Sequence, residues 1–112
     1  MDNRRHLAVL EAAQTVEDEI NQLIDDRPRR LLHVSQMRRA AHAVVSSIDE
    51  GFGRGPDGGR GQALRVARGE AEETIGHLRA NFAAKRIDKA TFWRLRNRLI
   101  TIIKMLNALG RL

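Results

Sequence analysis

Apolar residues recur at alternating steps of three and four along the chain, and this spacing constrains the fold more than any other feature. It is clearest near the C-terminus, at Phe92, Leu95, Leu99, Ile102, Leu106 and Leu109. Such spacing places side chains on one face of an α-helix. No segment shows the competing period of two that a half-buried strand requires. The sequence therefore predicts an all-α protein.

Breaks at Pro, Gly and Asp divide this pattern into four helices, predicted at about residues 3–25, 28–51, 62–85 and 89–109. Asp26 is expected to cap the second helix and Asp88 the fourth. The Gly-rich segment 51–61 is expected to interrupt the helices and form the long connection. Four helices with mostly short connections predict one domain, residues 1–112, folded as an antiparallel up-down-up-down four-helix bundle.

Each helix has an expected core stripe. The stripes are Leu7, Leu10, Ala13, Val16, Ile20, Leu23 and Ile24 in the first helix; Val34, Met37, Ala41, Val44 and Ile48 in the second; and Leu64, Ala67, Ala71, Ile75, Leu78 and Phe82 in the third. Gly69 and Gly76 lie on one face of the third helix, where we expect a neighbouring helix to pack closely.

The charge of the chain is positive and unevenly placed. Lys and Arg number 20 against 14 Asp and Glu, for a net charge of +6. Residues 1–26 are acidic, with two Arg against seven acids, whereas residues 27–68 and 69–112 are basic. A basic balance favours an acidic partner such as RNA or DNA. The predominance of Arg suits phosphate contacts, but it also fits a GC-rich coding sequence, and both interpretations stay open.

Eight arginines are candidates for phosphate contacts, namely Arg38, Arg39, Arg54, Arg60, Arg65, Arg68, Arg94 and Arg98. Four of them lie in or beside the Gly-rich segment, where a mobile loop could follow a phosphate backbone. Arg94 and Arg98 are one helical turn apart. Only Phe52 lies near the basic loop, so no aromatic platform for stacking bases is expected, and binding would depend on charge or shape.

The last helix carries more apolar surface than one bundle core needs. Trp93, Ile100 and Ile103 lie beside its core stripe. A second apolar stripe predicts contact between subunits, with these residues in the interface. The alternative is that one broad stripe serves a single thick core.

Nothing in the sequence indicates an enzyme. Without Cys there is no thiolate metal site, and no His belongs to an HExxH motif. Glu70, Glu73 and His77 share one side of a helix, but such groups are usually solvated or paired with Arg on a neighbouring helix, so we expect a structural role for them. Residues 53–58 match G-x-G-x-x-G, yet they join two helices instead of following a strand. We expect no catalytic residue, metal or cofactor.

The N-terminus lacks the apolar stretch of a signal peptide, and nowhere do 18 apolar residues run together. A cytoplasmic protein without a membrane partner is expected.

Two segments of the second helix carry a more specific signal. Residues 36–41 (QMRRAA) and 48–54 (IDEGFGR) resemble the signature Q-x-R-R-A-A…N-I-A-E-G-x-G-R of the bacterial four-helix-bundle family named for proteins encoded in intervening sequences of large-subunit ribosomal RNA genes. The resemblance extends from about Pro28 to the C-terminus. The chain departs from the family pattern at Ser47, Asp49 and Glu70, where the family has Asn, Ala and Ser.

The resemblance implies a small homo-oligomer, by analogy a ring of five subunits. The relatives of this family include accessory variability proteins of diversity-generating retroelements, basic bundles that bind nucleic acid and a reverse transcriptase. Glu50 matches the signature. Because a carboxylate near a helix C-terminus is poorly placed for the helix dipole, we expect a structural ion pair between Glu50 and one of Arg38, Arg39 and Arg68.

Two functions follow as hypotheses. The first is a non-catalytic, homo-oligomeric protein that binds RNA or DNA through phosphate contacts. The second is a protein-interaction or assembly scaffold without nucleic-acid binding, in which the acidic first helix of one subunit meets basic surfaces of another or of a partner protein.

Overall fold

The computed structural model describes residues 3–110. Within that range the chain forms no strand and four α-helices, which are α1 (Asn3–Asp26), α2 (Val34–Arg54), α3 (Arg60–Ala83) and α4 (Lys89–Gly110). Each helix packs against its neighbour in sequence, and α4 packs against α1. The molecule measures 44 × 22 × 18 Å, close to one helix long and two helices wide. The predicted all-α four-helix bundle is confirmed.

One apolar core runs along the inside of the bundle. It contains most of the predicted stripes of α2, α3 and α4, whereas Val34, Phe82 and Leu109 are only partly buried. The fully enclosed side chains include Met37, Ile48, Leu78, Leu95, Leu99 and Ile102. Burying a side chain of this size contributes about 1.5–3 kcal/mol, so the periodic residues stabilise the fold as expected.

The inner face of α1 differs from the prediction. Leu7 is 46% exposed, and the inward positions of the first turns belong to His6 and Val9. From Val9 onward the buried line continues through Ala13 and Val16 in steps of three and four. Leu7 is therefore wrong as a core residue, because it lies one position to the side of this line.

The second helix begins later than predicted. Asp26 is the last residue of α1 and does not cap α2, which starts at Val34. Pro28 lies in a turn closed by the Arg30 N–H and the Arg27 carbonyl at 3.1 Å. Leu31, after this turn, is buried in the core, and that contact holds residues 27–33 out of the helical path.

The Gly-rich connection is shorter than predicted, because α2 continues to Arg54 and α3 starts at Arg60. The Arg60 side chain donates to the carbonyls of Gly51 (3.1 Å) and Phe52 (3.4 Å). These bonds satisfy carbonyls of the last turns of α2, where the helix itself supplies no donor. The helix therefore persists into the Gly-rich segment.

Close helix packing occurs at Gly51 and not at the glycines of α3. A Cβ on Gly51 would lie 3.2 Å from the Cβ of Ala63, so α2 and α3 approach closely there. Gly69 and Gly76 are exposed, and a Cβ on either would meet nothing within 4 Å. The expectation for these two residues is wrong, because both lie on the outer side of α3.

The α3–α4 turn follows its sequence signals. The Arg86 N–H bonds to the Asn81 carbonyl at 2.8 Å, and the Lys85 N–H bonds to the Phe82 carbonyl at 3.0 Å. Together they form a Schellman-type end with Lys85 in the left-handed position usually taken by Gly. Asp88 then accepts the Thr91 N–H at 2.7 Å, which confirms it as the cap of α4. No helix within residues 3–110 is long and apolar enough to cross a membrane.

Candidate nucleic-acid interface

The eight predicted phosphate-binding arginines do not form one surface. Five of them are in ion pairs with acids of other helices or of their own helix, namely Arg38, Arg39, Arg54, Arg94 and Arg98. Pairing with a carboxylate satisfies the guanidinium locally and lowers the net charge that it presents to a phosphate. These five therefore contribute less to an anion-binding surface than the sequence predicts.

Arg38 and Arg39 brace α2 against its two neighbours. Arg38 contacts Asp25 of α1 at 2.5 Å. Arg39 pairs with Glu70 at 3.2 Å and also with Glu73, both on α3. The interpretation of Glu70 and Glu73 as structural partners of an arginine on a neighbouring helix is thus confirmed.

Glu50 has a cationic partner, but not one of the three predicted. It pairs with Arg54, one turn later in α2, at 2.5 Å. Arg38 and Arg39 are held by other acids, and Arg68 donates to the Asn107 amide oxygen at 3.0 Å. The predicted pairs are wrong because Arg54 already lies four residues away, within ordinary reach on one helix face.

Arg94 and Arg98 both contact Glu19 of α1. The sequence places them together, and the structure confirms that they are neighbours. Their shared carboxylate makes them a brace between α1 and α4. The acidic first helix thus serves to pair with basic neighbours inside the same chain.

Beside the Gly-rich connection, Arg65 and Arg68 line a groove of about 340 Å³ between α3 and α4. Arg60 is turned inward onto the carbonyls of α2. Arg65 is exposed and makes no ion pair within residues 3–110. Of the eight candidates, Arg65 is therefore the one placed to meet an anion without giving up an internal contact.

A group of six exposed cations lies at the opposite end of the bundle and was not among the candidates. The α1–α2 segment and the α3–α4 turn meet there, and we call their six exposed cations the basic end: Arg27, Arg29, Arg30, Lys85, Arg86 and Lys89. None of the six has a carboxylate within ion-pair distance in the described part of the chain.

Arg30 joins the two halves of the basic end. Its Nε donates to the Arg86 carbonyl at 3.0 Å, and its Nη2 donates to the Lys85 carbonyl at 2.9 Å. These carbonyls lie in the α3–α4 turn, just beyond the C-terminus of α3, where the helix dipole favours a cation. The result is that segments 55 residues apart in sequence present their charges side by side.

Asn81 fixes the same junction from inside. It is fully buried, and its amide oxygen accepts the Leu32 N–H at 2.7 Å. Its Nδ2 donates to the carbonyls of Leu32 (3.1 Å) and His77 (2.9 Å). One side chain therefore satisfies both backbone groups of Leu32 and holds residues 27–33 against α3.

Both non-glycine residues with positive φ in the described chain, His33 (φ 56°) and Lys85 (φ 59°), lie at this junction. The left-handed region costs a side-chain-bearing residue about 1 kcal/mol or more relative to Gly. Lys85 thus places a cation at a position whose positive φ is usually adopted by Gly.

Three acids lie near the basic end, and its six cations outnumber them. Asp25 pairs with Arg38, and Asp26 accepts a bond from Gln22 at 2.7 Å. Hydrogen bonds from Thr91 hold the pKa of Asp88 below its ordinary value, and the charges of Arg27 and Arg94 act in the same direction. These carboxylates leave the six cations as the dominant charge of this end.

The predicted interface residues differ in exposure. Trp93 is 42% exposed, whereas Ile100 and Ile103 are partly buried and packed against the core. The two isoleucines thus serve the chain's own core in part, and their remaining surface is open.

Among the described residues, His6 is the one titratable side chain that is buried. Burial lowers its pKa, and the charge of Arg60 lowers it further. Its ring meets Phe52 edge-on at 4.8 Å, and its Nε2 has no hydrogen-bond partner in the part of the chain that the structure describes. Within residues 3–110, no group of three His, Asp or Glu side chains is arranged to hold a metal ion.

Comparison with known proteins agrees with this architecture. The model of the 23S rRNA-intervening sequence protein family matches residues 5–108. A solved structure from Bacteroides thetaiotaomicron, described as a protein of unknown function from the S23 ribosomal protein family, is similar with a TM-score of 0.87. The match covers 96% of this chain and 99% of that chain at 17% sequence identity, so it establishes the fold alone. No curated protein matches the sequence.

Proposed function

This chain belongs to the 23S rRNA-intervening sequence protein family, and we propose that it is a non-catalytic, homo-oligomeric cytoplasmic protein that binds RNA or DNA through phosphate contacts. The observation that carries the proposal is the basic end, where six exposed cations without carboxylate partners converge from two segments. Phosphate contacts supply most of the affinity of binding that does not depend on sequence. This surface replaces the eight arginines of the sequence prediction as the main contact.

The test removes charge from the basic end and compares it with an equal removal elsewhere. The variant carries Arg29→Gln, Arg86→Gln and Lys89→Gln, which leaves the Arg30 bonds intact. The control carries Arg4→Gln, Arg5→Gln and Lys104→Gln, three exposed cations distant from the basic end that give the same change in net charge. Fluorescence anisotropy with a labelled mixed-sequence RNA and its DNA counterpart measures both.

We expect the basic-end variant to lose at least about tenfold in affinity and the control to lose only a few-fold, because local contacts outweigh total charge. If about three phosphates are contacted, wild-type affinity falls roughly 20- to 40-fold between about 50 and 200 mM salt. Equal losses in the two variants would refute the basic end as the binding surface. Affinity that is independent of salt would refute phosphate binding altogether.

Self-association rests on the middle of α4, where Ile100 and Ile103 keep apolar surface open. Five subunits is the number that the family resemblance implies. Ile100→Gln is expected to reduce the mass measured by light scattering toward the 12.6 kDa of one chain, with the helical circular dichroism unchanged. An unchanged oligomer mass would rule out this surface as the interface.

The same proposal includes a relationship to the accessory variability proteins of retroelements. It also includes a protein partner such as a reverse transcriptase. The scaffold alternative assigns the acidic first helix to a neighbouring subunit. Against it, Glu17, Glu19 and Asp25 of α1 contact His42, Arg94, Arg98 and Arg38 of their own chain. Nucleic-acid binding is therefore preferred.

A further inference from the structure

The single tryptophan of the chain borders the basic end. Trp93 is 42% exposed and lies one helical turn after Lys89, the first residue of α4. Residues four apart on a helix share a face. An exposed aromatic ring and an exposed ammonium group therefore lie side by side where α4 leaves the α3–α4 turn.

Neighbouring side chains hold the Trp93 ring in place. Its ring meets Phe92 edge-on at 5.3 Å, and Phe92 stacks on Phe82 of α3 at 4.7 Å with the planes only 7° apart. The Arg96 guanidinium lies 5.2 Å from the centre of the Trp93 ring, in a cation–π contact. These two contacts favour one orientation of the ring.

We propose that Trp93 stacks on an unpaired base of a single-stranded nucleic acid whose phosphates lie along the basic end. Surfaces that bind single strands combine a cationic track with aromatic rings, because every base has a π face. A duplex keeps its base faces stacked internally, so the ring discriminates single strands from duplexes. This inference rests on the proposed function and adds the class of nucleic acid to it.

The sequence predicts no aromatic ring for stacking bases, because it places the basic surface at the Gly-rich segment, where Phe52 is the nearby aromatic residue. Phe52 packs on buried His6 at that end of the bundle. The basic end lies at the other end, and the aromatic ring beside it is Trp93. A second copy of the chain is a poorer occupant here than a polyanion, because Lys89 and Arg96 flank Trp93 and the whole chain carries a net charge of +6.

The first experiment compares three labelled probes of equal length, about 12 residues each. They are an oligouridine, the same strand paired with oligoadenosine, and an abasic phosphodiester strand that keeps the charges and lacks the bases. We expect Trp93→Ala to weaken oligouridine binding by about tenfold. The duplex and the abasic strand should change less than twofold, and Trp93→Phe should keep part of the affinity. Val66→Ala, at an apolar residue that is 49% exposed elsewhere on the bundle, is the matched control.

The second experiment needs no variant. The chain has one Trp and no Tyr, so its intrinsic fluorescence reports Trp93 alone. Unlabelled oligouridine should quench this emission with the same midpoint as the anisotropy titration, whereas the abasic strand should leave it unchanged.

The outcomes separate this inference from the proposed function. If all probes bind but the emission stays constant and Trp93→Ala binds oligouridine normally, base stacking is refuted and phosphate binding stands. Emission of the free protein that is blue-shifted and protected from acrylamide would show that another copy covers Trp93, which also overturns the inference. If wild-type protein binds no probe, both proposals fail.

Discussion

Replacing Asn81 by Ala tests whether this side chain holds residues 27–33, one half of the basic end, against α3. The substitution removes the partners of the Leu32 N–H and carbonyl, each worth about 1 kcal/mol. The space left by the buried amide adds about 1 kcal/mol. The bond to the His77 carbonyl adds little, because that carbonyl lies within α3. We therefore expect a loss of about 3 kcal/mol in the free energy of unfolding, or roughly 10 °C in Tm for a chain of this size.

Urea denaturation followed by circular dichroism measures the loss, and hydrogen exchange locates it. Amides of residues 27–33 should lose protection, while those of the Gly-rich connection should not. Asn97→Ala is the control, because Asn97 is exposed and, among the described residues, its side chain bonds to neighbouring Arg96 alone. That variant should stay within about 0.5 kcal/mol of wild type. A loss below about 1 kcal/mol for Asn81→Ala would refute the view that this side chain holds the segment.

Three further predictions concern stability. The pKa of His6 is lowered in the folded protein, so the unfolded chain binds a proton more readily, and stability should fall as the pH drops below about 6.5. His6→Leu should flatten the dependence of Tm on pH, measured above the pH range in which Asp88 titrates. Lys85→Gly should raise the free energy of unfolding by about 0.5–1 kcal/mol while weakening RNA binding; lower stability in urea would contradict the strain inferred at φ 59°. Gly69→Ala, on an open helix face, should raise thermal stability by up to about 1 kcal/mol, whereas Gly51→Val should lower it; the reverse order would show that the close approach of α2 and α3 is misplaced.

The helices and the core were predictable because burial of apolar side chains is strictly periodic along a helix. Phe92, Leu95 and Leu99 lie inside for the reason that their spacing indicates. The helix ends were less predictable, because contacts between distant segments decide them. Residues 27–33 leave the helical path where Leu31 enters the core, and α2 continues past Gly51 because Arg60 satisfies its carbonyls.

The ion pairs could not be predicted from the sequence for a similar reason. Which acid meets Arg39 depends on how far α3 is shifted along α2, and this register is set by packing along the whole interface. The basic end, in contrast, was predictable from the sequence. In an up-down bundle the first and third connections lie at the same end, and both carry clusters of Arg and Lys in this chain. Reading the two connections together, instead of separately, predicts the surface.

If the chain forms the proposed ring and binds nucleic acid through the basic end, the placement of these six cations at one end of a 44 Å bundle has a consequence for the assembly. Cyclic symmetry keeps equivalent points of every subunit at the same height along the axis. A ring of these subunits therefore repeats the basic end around a single rim. A strand long enough to reach a second subunit then rebinds at a high effective concentration, so avidity grows with ligand length while each contact stays weak. The affinity of the assembly would therefore depend on the length of the nucleic acid, whereas the affinity of a single subunit would not.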